Sequence, residues 1–292
     1  MPEHCSVRNI TVSKRRRHAG WHVSKGAEPG RSTIQYRNVP QYIRYRSDSA
    51  VSYGILDGAT VREIEGDLFQ SRTETGVTHK LPDVKLLSPC RPGKIMAVGL
   101  NYRSHLGDRP QPGHPEMFYK PVSALQDPEG PIVIPRDATD LHYEGELVIV
   151  MGKRAKNVSV EQARDAIFGV TCGNDVSERN WQHGPGKDLQ WWRAKGCDTF
   201  APLGPVIATG IDSSNLMLQT RLNGEVVQRQ STSDLIFDCP AIVARISDWV
   251  TLMPGDVIYT GTPGATRKLS AGDVVEVEIE SIGVLRNPVV AG

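Results

Sequence analysis

The chain has 292 residues, 39% hydrophobic and 23% charged, which is enough apolar sequence for one large buried core. No apolar run reaches the ~20 residues that span a bilayer, and the polar N-terminus lacks the apolar segment of a secretory signal, so we expect a cytoplasmic protein without a membrane partner. Five scattered cysteines without a CxxC pair favour free thiols over a zinc ribbon or a disulfide framework.

The net charge of +1 is spread unevenly along the chain. Residues 1–38 carry eight basic and two acidic side chains, whereas the remaining residues carry 26 basic and 31 acidic ones. The basic run from Lys14 to His18 could contact nucleic acid or a membrane surface. A polar segment without apolar periodicity is more often disordered, so we expect 1–38 to be a disordered extension. The acidic remainder argues against a nucleic-acid-binding core.

A small N-terminal β domain is predicted over residues 39–90. Residues 41–46 alternate between apolar and polar side chains, as a half-buried strand does. Two further strands, 51–56 and 59–64, are joined by a turn at Asp57 and Gly58. The stretch 87–93 is rich in Pro and Gly and is typical of a linker, so we place a catalytic domain over residues 91–292.

The larger domain shows more strand patterns than helix patterns. Strands are predicted at 94–100, 141–151, 169–173, 220–227, 253–263 and 272–280, and 220–227 is expected to lead through a loop to 231–235. Helices are predicted at 159–168, 175–182 and 239–250. The polar segment 103–115 has the composition of a functional loop. Because strands and helices do not alternate one for one, we predict an α+β fold rather than a doubly wound sheet.

Two acidic side chains in the 141–151 strand give the clearest chemical signal. Glu144 and Glu146 share one face of a strand, about 6–7 Å apart. Two carboxylates on an apolar strand repel each other unless a cation lies between them, and a hard divalent cation with oxygen ligands is the simplest answer. Asp175 follows another apolar strand and is a third candidate ligand, with His142 as a further one. The alternative is an exposed edge strand with two solvated glutamates.

Three other positions carry groups suited to catalysis. His105 stands three residues before Asp108, so on a helix the carboxylate would orient the imidazole as a general base. Lys195 lies in a Gly-bounded turn and could stabilise an oxyanion. Backbone amides and Thr hydroxyls in the turn 259–264 could bind a carboxylate. The alternatives are a surface His–Asp pair, a solvated lysine and a plain β-turn.

Seven motifs in this order resemble the fumarylacetoacetate hydrolase family over residues 94–290: GLNYRSH, FYKP, YEGELVIVMG, GNDVSER, QWWRAKGCDTFAPLGP, LNGEVVQ and GDVIYTGTPG. The resemblance implies a mixed, strongly curved β-roll with few helices and a homodimer. It also implies a site that depends on Mg²⁺ or Mn²⁺ and a small anionic keto acid as substrate.

The same resemblance assigns a role to each matching residue. It implies the metal ligands Glu144, Glu146 and Asp175. It implies a catalytic group made of His105 on a lid, its partner Asp108, and Lys195 and Gln182 facing substrate oxygens. It implies substrate contacts from Arg179, Tyr119, Gly261 and Thr262. This chain departs from the family pattern at three positions: Asp108 replaces the usual Glu, Glu178 replaces a small residue, and His142 replaces an Asp.

These roles predict hydrolysis of a C–C bond in a β-diketo acid of the acylpyruvate or fumarylpyruvate type. His105 would activate water, and Lys195 and Gln182 would stabilise the oxyanion. The same site could serve a decarboxylase, isomerase or hydratase of a short keto-diacid. A non-catalytic binding module is the third reading, but such a module has no need of three clustered carboxylates with a histidine.

Overall fold

The computed structural model describes residues 39–48 and 50–292; the expectation of a disordered extension at 1–38 lies outside these residues. The strands are β1 Gln41–Ser47, β2 Ala50–Asp57, β3 Thr60–Gly66, β4 Arg72–Lys80, β5 Lys85–Leu87, β6 Ile95–Gly99, β7 Glu116–Lys120, β8 Leu125–Gln126, β9 Ile132–Ile134, β10 Leu141–His142, β11 Gly145–Met151, β12 Ile167–Asn174, β13 Ser177–Glu178, β14 Ala201–Ala208, β15 Met217–Leu222, β16 Glu225–Ser231, β17 Val257–Tyr259, β18 Val274–Ile279 and β19 Gly283–Ala291.

The α-helices in the described residues are short. They are α1 Arg103–Leu106, α2 Val160–Ala166, α3 Arg179–His183, α4 Trp192–Gly196 and α5 Cys239–Ser247. The described chain is therefore mostly sheet with few helices, which confirms the predicted α+β class. None of these helices is long and apolar enough to cross a membrane.

Two mixed sheets carry most of the structure. The larger has the strand order β4-β3-β2-β1-β14-β12-β11-β17-β6-β7, with β5 and β8 pairing to β1 and β14. The smaller has the order β16-β15-β18-β19-β9, and β10 and β13 form a separate two-stranded sheet. The pairs β6–β17, β8–β14 and β9–β19 are parallel and the other pairs are antiparallel. The N-terminal strands extend the larger sheet because β1 pairs with β14.

Strand β11 lies between two hydrophobic cores. All seven of its residues are buried, which explains the apolar run from Leu147 to Met151. Leu147, Ile149 and Met151 face one core, whereas Val148 and Val150 face the other. A strand held on both faces and paired with β12 and β17 is a rigid support for the side chains at its beginning.

The predicted boundaries of two segments near this strand are corrected by the structure. The predicted strand 141–151 is interrupted, and Glu144 lies just before β11 rather than within one continuous strand. The helix expected at 175–182 begins only at Arg179, because the Glu178 side chain accepts the Trp181 N–H and caps α3 there.

The predicted loop between 227 and 231 is also wrong. β15 and β16 form a hairpin, and their turn is Asn223-Gly224, with φ of 53° and 83°. Positive φ at both central residues is the geometry that an Asn-Gly hairpin turn adopts.

Candidate active site

Three buried carboxylates meet where β11 begins and β12 ends. Glu144, Glu146 and Asp175 are 5%, 1% and 1% exposed, and each offers an oxygen within 4.8 Å of the other two. The antiparallel pairing of Gly145 with Asn174 brings the two segments together. The Asn174 amide oxygen accepts the Glu144 N–H at 2.9 Å, and the Asp175 N–H donates to the Glu144 carbonyl at 2.9 Å. The cluster is therefore assembled by the sheet itself.

Three basic side chains already neutralise part of this cluster. Lys195 Nζ lies 2.7 Å from Glu144 and 2.7 Å from Asp175. Arg179 lies 2.6 Å from Glu144, and Lys120 forms an ion pair with Asp175. Our expectation that the carboxylates need a divalent cation for neutralisation is thus only partly right, because the chain supplies cations for Glu144 and Asp175.

The contacts of the Glu146 carboxylate differ from those of Glu144 and Asp175. It accepts the Gly261 N–H at 2.7 Å, and no basic side chain among the described residues forms an ion pair with it. Burial and the negative charges of Asp175 and Glu144 raise its pKa well above the usual range. Burial would also raise the pKa of Glu144, but Lys195 and Arg179 outweigh it and lower that pKa.

The cluster fits a hard divalent cation. Its donors are carboxylate oxygens, the ligands that Mg²⁺ and Mn²⁺ prefer. Burial and the two neighbouring carboxylates raise the pKa of Glu146, which has no ion-pair partner in the described part of the chain. Glu144, Glu146 and Asp175 are thus the residues that would hold the ion.

Lys120 is a site residue that the sequence analysis missed. In β7, Phe118 and Lys120 point inward, while the intervening Tyr119 is 52% exposed. Neighbouring side chains in a strand point to opposite faces, so Tyr119 lies on the side away from Asp175 and does not join the cluster. Strand alternation within the FYKP motif is the signal that could have identified the lysine.

His105 is positioned by a carbonyl rather than by Asp108. Helix α1 ends at Leu106, and Gly107, with φ of 58°, turns the chain away. In the described structure no hydrogen bond or ion pair joins His105 to the exposed Asp108, so the predicted pair is not formed. Instead, His105 Nδ1 contacts the Gly264 carbonyl. A carbonyl only accepts, so Nδ1 carries a proton, and Nε2 is the nitrogen left to act as a base in that tautomer.

The turn around Thr262 lies directly against the carboxylates. The Thr262 hydroxyl donates to the Gly145 carbonyl at 2.9 Å, so its proton is already engaged. The backbone N–H of Thr262 forms no hydrogen bond among the described residues. Gly261 has a φ of 103°, and a Cβ there would lie 3.0 Å from Asn101, so this tight turn requires glycine.

Arg179 and Gln182 lie on α3, and Arg179 connects this helix to the carboxylate cluster. Arg179 donates to Gln182 Oε1 at 2.7 Å and to Thr266 at 3.0 Å, in addition to its ion pair with Glu144. The candidate ligand His142 lies outside the cluster: its ring nitrogens contact Thr266 at 2.8 Å and Asp140 at 3.0 Å. Burial lowers the pKa of His142, so its imidazole is neutral.

Comparison with known proteins places this geometry in a family. The model of the fumarylacetoacetate hydrolase C-terminal domain matches residues 94–290, and that of the Rv2993c-like N-terminal domain matches residues 41–89. Protein Rv2993c of Mycobacterium tuberculosis is 45% identical over an alignment of 260 residues, and the match covers 85% of this chain and 97% of that protein. Oxaloacetate tautomerase fahd2, mitochondrial, of Xenopus laevis is 42% identical over an alignment of 221 residues, and the match covers 71% of this chain and 69% of that protein.

One solved structure is similar to this chain in both sequence and fold. The 2-hydroxyhepta-2,4-diene-1,7-dioate isomerase from Mycobacterium marinum is 43% identical and superposes with a TM-score of 0.81, covering 86% of this chain and 98% of that one. Members of the matched family are enzymes, among them hydrolases, isomerases and a tautomerase. The resemblance drawn from the motifs is confirmed, and the chain belongs to the fumarylacetoacetate hydrolase family.

Proposed function

We propose that this chain is a divalent-metal-dependent isomerase or tautomerase of a short 2-oxo acid. The observation that carries the proposal is the buried cluster of Glu144, Glu146 and Asp175 with Lys195 in contact with two of them. When bound there, Mg²⁺ or Mn²⁺ would act as a Lewis acid toward the 2-oxo group. The names of the isomerase and the tautomerase among the relatives support the same class of reaction.

The chain's own residues account for binding and charge. The free Thr262 N–H would hold the substrate carboxylate, as backbone amides in a turn commonly do. The Lys195 ammonium has three N–H donors. Two of them donate to Glu144 and Asp175, and the third N–H could donate to a developing oxyanion. Burial would lower the pKa of Lys195, but Asp175 and Glu144 outweigh it and raise that pKa, so this lysine stays charged.

His105 Nε2 is the proposed site of proton transfer. It would remove a proton from the carbon next to the 2-oxo group. The C–H electron pair then forms the C–C double bond of an enolate, while the C=O π pair moves onto the oxygen. Return of that proton to oxygen gives the enol, and its return to a more distant carbon of an unsaturated acid gives the shifted double bond. Each outcome conserves atoms and charge and needs no water.

Hydrolysis of an acylpyruvate C–C bond, predicted from the sequence, is the second candidate. It uses the same binding groups but requires His105 to activate a water molecule and Lys195 and Gln182 to stabilise the tetrahedral oxyanion. The family model is that of a hydrolase, which supports this alternative. The missing contact between His105 and Asp108 favours the isomerase, because a carboxylate partner would make the imidazole a stronger base toward water.

A product-resolved assay in D₂O separates the two candidates. With Mg²⁺ present, we expect deuterium to enter carbon 3 of oxaloacetate or of an acylpyruvate faster than any C–C bond is broken, as followed by NMR. Glu146→Gln is the control and should lose the catalysed exchange. Cleavage of acylpyruvate without prior exchange would instead establish the hydrolase and overturn our first choice.

A further inference from the structure

Gln228 connects the smaller sheet to the candidate site. It lies on β16, and it is the only residue of that strand that is fully buried, at 5% exposure. A buried primary amide must find hydrogen-bond partners. Its Nε2 donates to the Thr262 hydroxyl at 2.9 Å and to the Pro263 carbonyl at 2.7 Å, and its Oε1 accepts the Gly145 N–H at 3.2 Å.

Gly145 is the point where this contact meets the ligand strand. It stands between Glu144 and Glu146, and its backbone is in close contact with the smaller sheet. A Cβ at this position would lie 2.1 Å from Thr220 Oγ1 and 3.2 Å from Gln228 Oε1. Glycine is therefore required for the small sheet to reach the backbone between the two glutamates.

The three residues close a ring of hydrogen bonds. Gln228 binds the Gly145 N–H, the Thr262 hydroxyl donates to the Gly145 carbonyl at 2.9 Å, and Gln228 donates to the same hydroxyl. The turn held in this way supplies the Gly261 N–H to Glu146 and the Gly264 carbonyl to His105. Its position therefore bears mainly on the base and on the Thr262 N–H, because Glu146 is also held by its place in the buried strand β11.

We propose that Gln228 is a positioning residue that fixes the Thr262–Pro263 turn at the distance from Glu144 and Glu146 that a 2-oxo carboxylate requires. The inference rests on the proposed function, in which the turn holds the substrate carboxylate. Gln228 touches neither the three carboxylate side chains nor any group that transfers a proton. Its loss should therefore weaken binding of the 2-oxo acid while the metal ligands stay assembled.

Calorimetric titration of two variants tests this assignment. Gln228→Met removes all three hydrogen bonds at similar volume. Gln228→Glu, studied at pH 8, keeps an acceptor for the Gly145 N–H and removes the donors to the turn; it decides the question if the first variant fails to fold. For either variant we expect pyruvate, added to Mg²⁺-saturated protein, to bind about 10-fold more weakly, the scale of about one hydrogen bond. Mg²⁺ affinity should match the wild type.

Gln219→Leu on the neighbouring β15 is the matched control, because it changes a half-buried glutamine in the same sheet. It should leave pyruvate and Mg²⁺ binding unchanged. Equal pyruvate affinity in wild type and both Gln228 variants would overturn the positioning role, as would a parallel loss of Mg²⁺ affinity. If the wild-type protein with Mg²⁺ does not bind pyruvate at all, the proposed function itself fails, and the assignment of Gln228 fails with it.

Discussion

Two buried lysines contact the same carboxylate and yet differ in their acid–base behaviour. Lys120 and Lys195 both form ion pairs with Asp175, but only Lys195 also contacts Glu144. Burial lowers the pKa of Lys120 because the single carboxylate does not compensate fully. The second carboxylate reverses this balance at Lys195, whose pKa is raised. Lys195 is therefore suited to stabilise negative charge rather than to act as a base.

His105 is the residue whose removal should separate binding from proton transfer. We predict that His105→Ala retains the Mg²⁺-dependent rise in melting temperature and lowers catalysed deuterium exchange about 10²–10⁴-fold, the usual scale for a lost general base. Asp108→Asn should stay within about twofold of the wild type, as for other exposed side chains without contacts. NMR measures the exchange rate of each variant, and thermal melting with and without Mg²⁺ measures the metal-dependent rise. A loss in Asp108→Asn as large as that in His105→Ala would mean that the two residues pair when substrate binds.

At the scale of elements, the five-residue helix α3 depends on one buried carboxylate. A helix of this length is not stable by itself, so its start must be fixed by tertiary contacts. Glu178 is fully buried and accepts N–H groups from Thr139 at 3.1 Å, Asp140 at 2.6 Å and Trp181 at 2.6 Å. It thereby orients α3 so that Arg179 reaches Glu144.

Glu178→Gln tests this dependence. The amide group would face N–H donors and leave some of them without an acceptor, so we predict a loss of about 1–3 kcal/mol in unfolding free energy. Activity should also fall, because Arg179 loses its orientation. Chemical denaturation measures the first effect and the exchange assay the second. Glu161→Gln, in the exposed first turn of α2, is the control and should change neither; an equally stable and active Glu178→Gln would contradict the role given to Glu178.

Local patterns were sufficient where an element is determined by its own residues. The helix predicted at 159–168 forms as α2, which begins with a capping box of Ser159 and Gln162, and the apolar run of β6 forms the predicted strand. The helix expected at 175–182 was misjudged because the spacing of Asp175 and Arg179 resembles a helical pair. In the fold, Asp175 instead contacts Lys120 and Lys195, which lie 55 and 20 residues away.

The residues of the candidate site also divide into those that local patterns identify and those that depend on distant contacts. Glu144, Glu146 and Asp175 could be recognised from the alternation of residues 141–151 and from the family resemblance, because they lie within or directly beside β11 and β12. Strand alternation marks Lys120 as an inward-facing residue, but it does not identify Asp175 as its partner. Gln228 could not be found by local periodicity alone, because its partners come from other parts of the chain. Asp108 was misassigned because a helix was assumed to continue past Gly107, where the backbone turns instead.

At the scale of the molecule, the two sheets and two cores meet around β11, so the charge state of its carboxylates is linked to the stability of the whole fold. The pKa of Glu146 is raised in the folded chain. In metal-free protein its protonated form is thus favoured by folding. The contribution of this proton to the free energy of unfolding is fully present below about pH 4.3, the pKa of an unfolded glutamate. It is lost as the pH rises through the higher pKa of the folded chain.

A bound cation takes the place of this proton, so metal and pH should act on stability together. We predict that Mg²⁺ or Mn²⁺ raises the melting temperature, and that the rise is larger at pH 8 than at pH 6, because at lower pH the ion must displace the proton on Glu146. Glu146→Gln mimics the protonated side chain and should lose both the rise and its pH dependence in differential scanning fluorimetry. Glu161→Gln serves as the surface control and should respond like the wild type. A metal-induced rise that survives in Glu146→Gln would remove Glu146 from the ligand set, and a rise in the wild type that is equal at both pH values would show that no proton is displaced there.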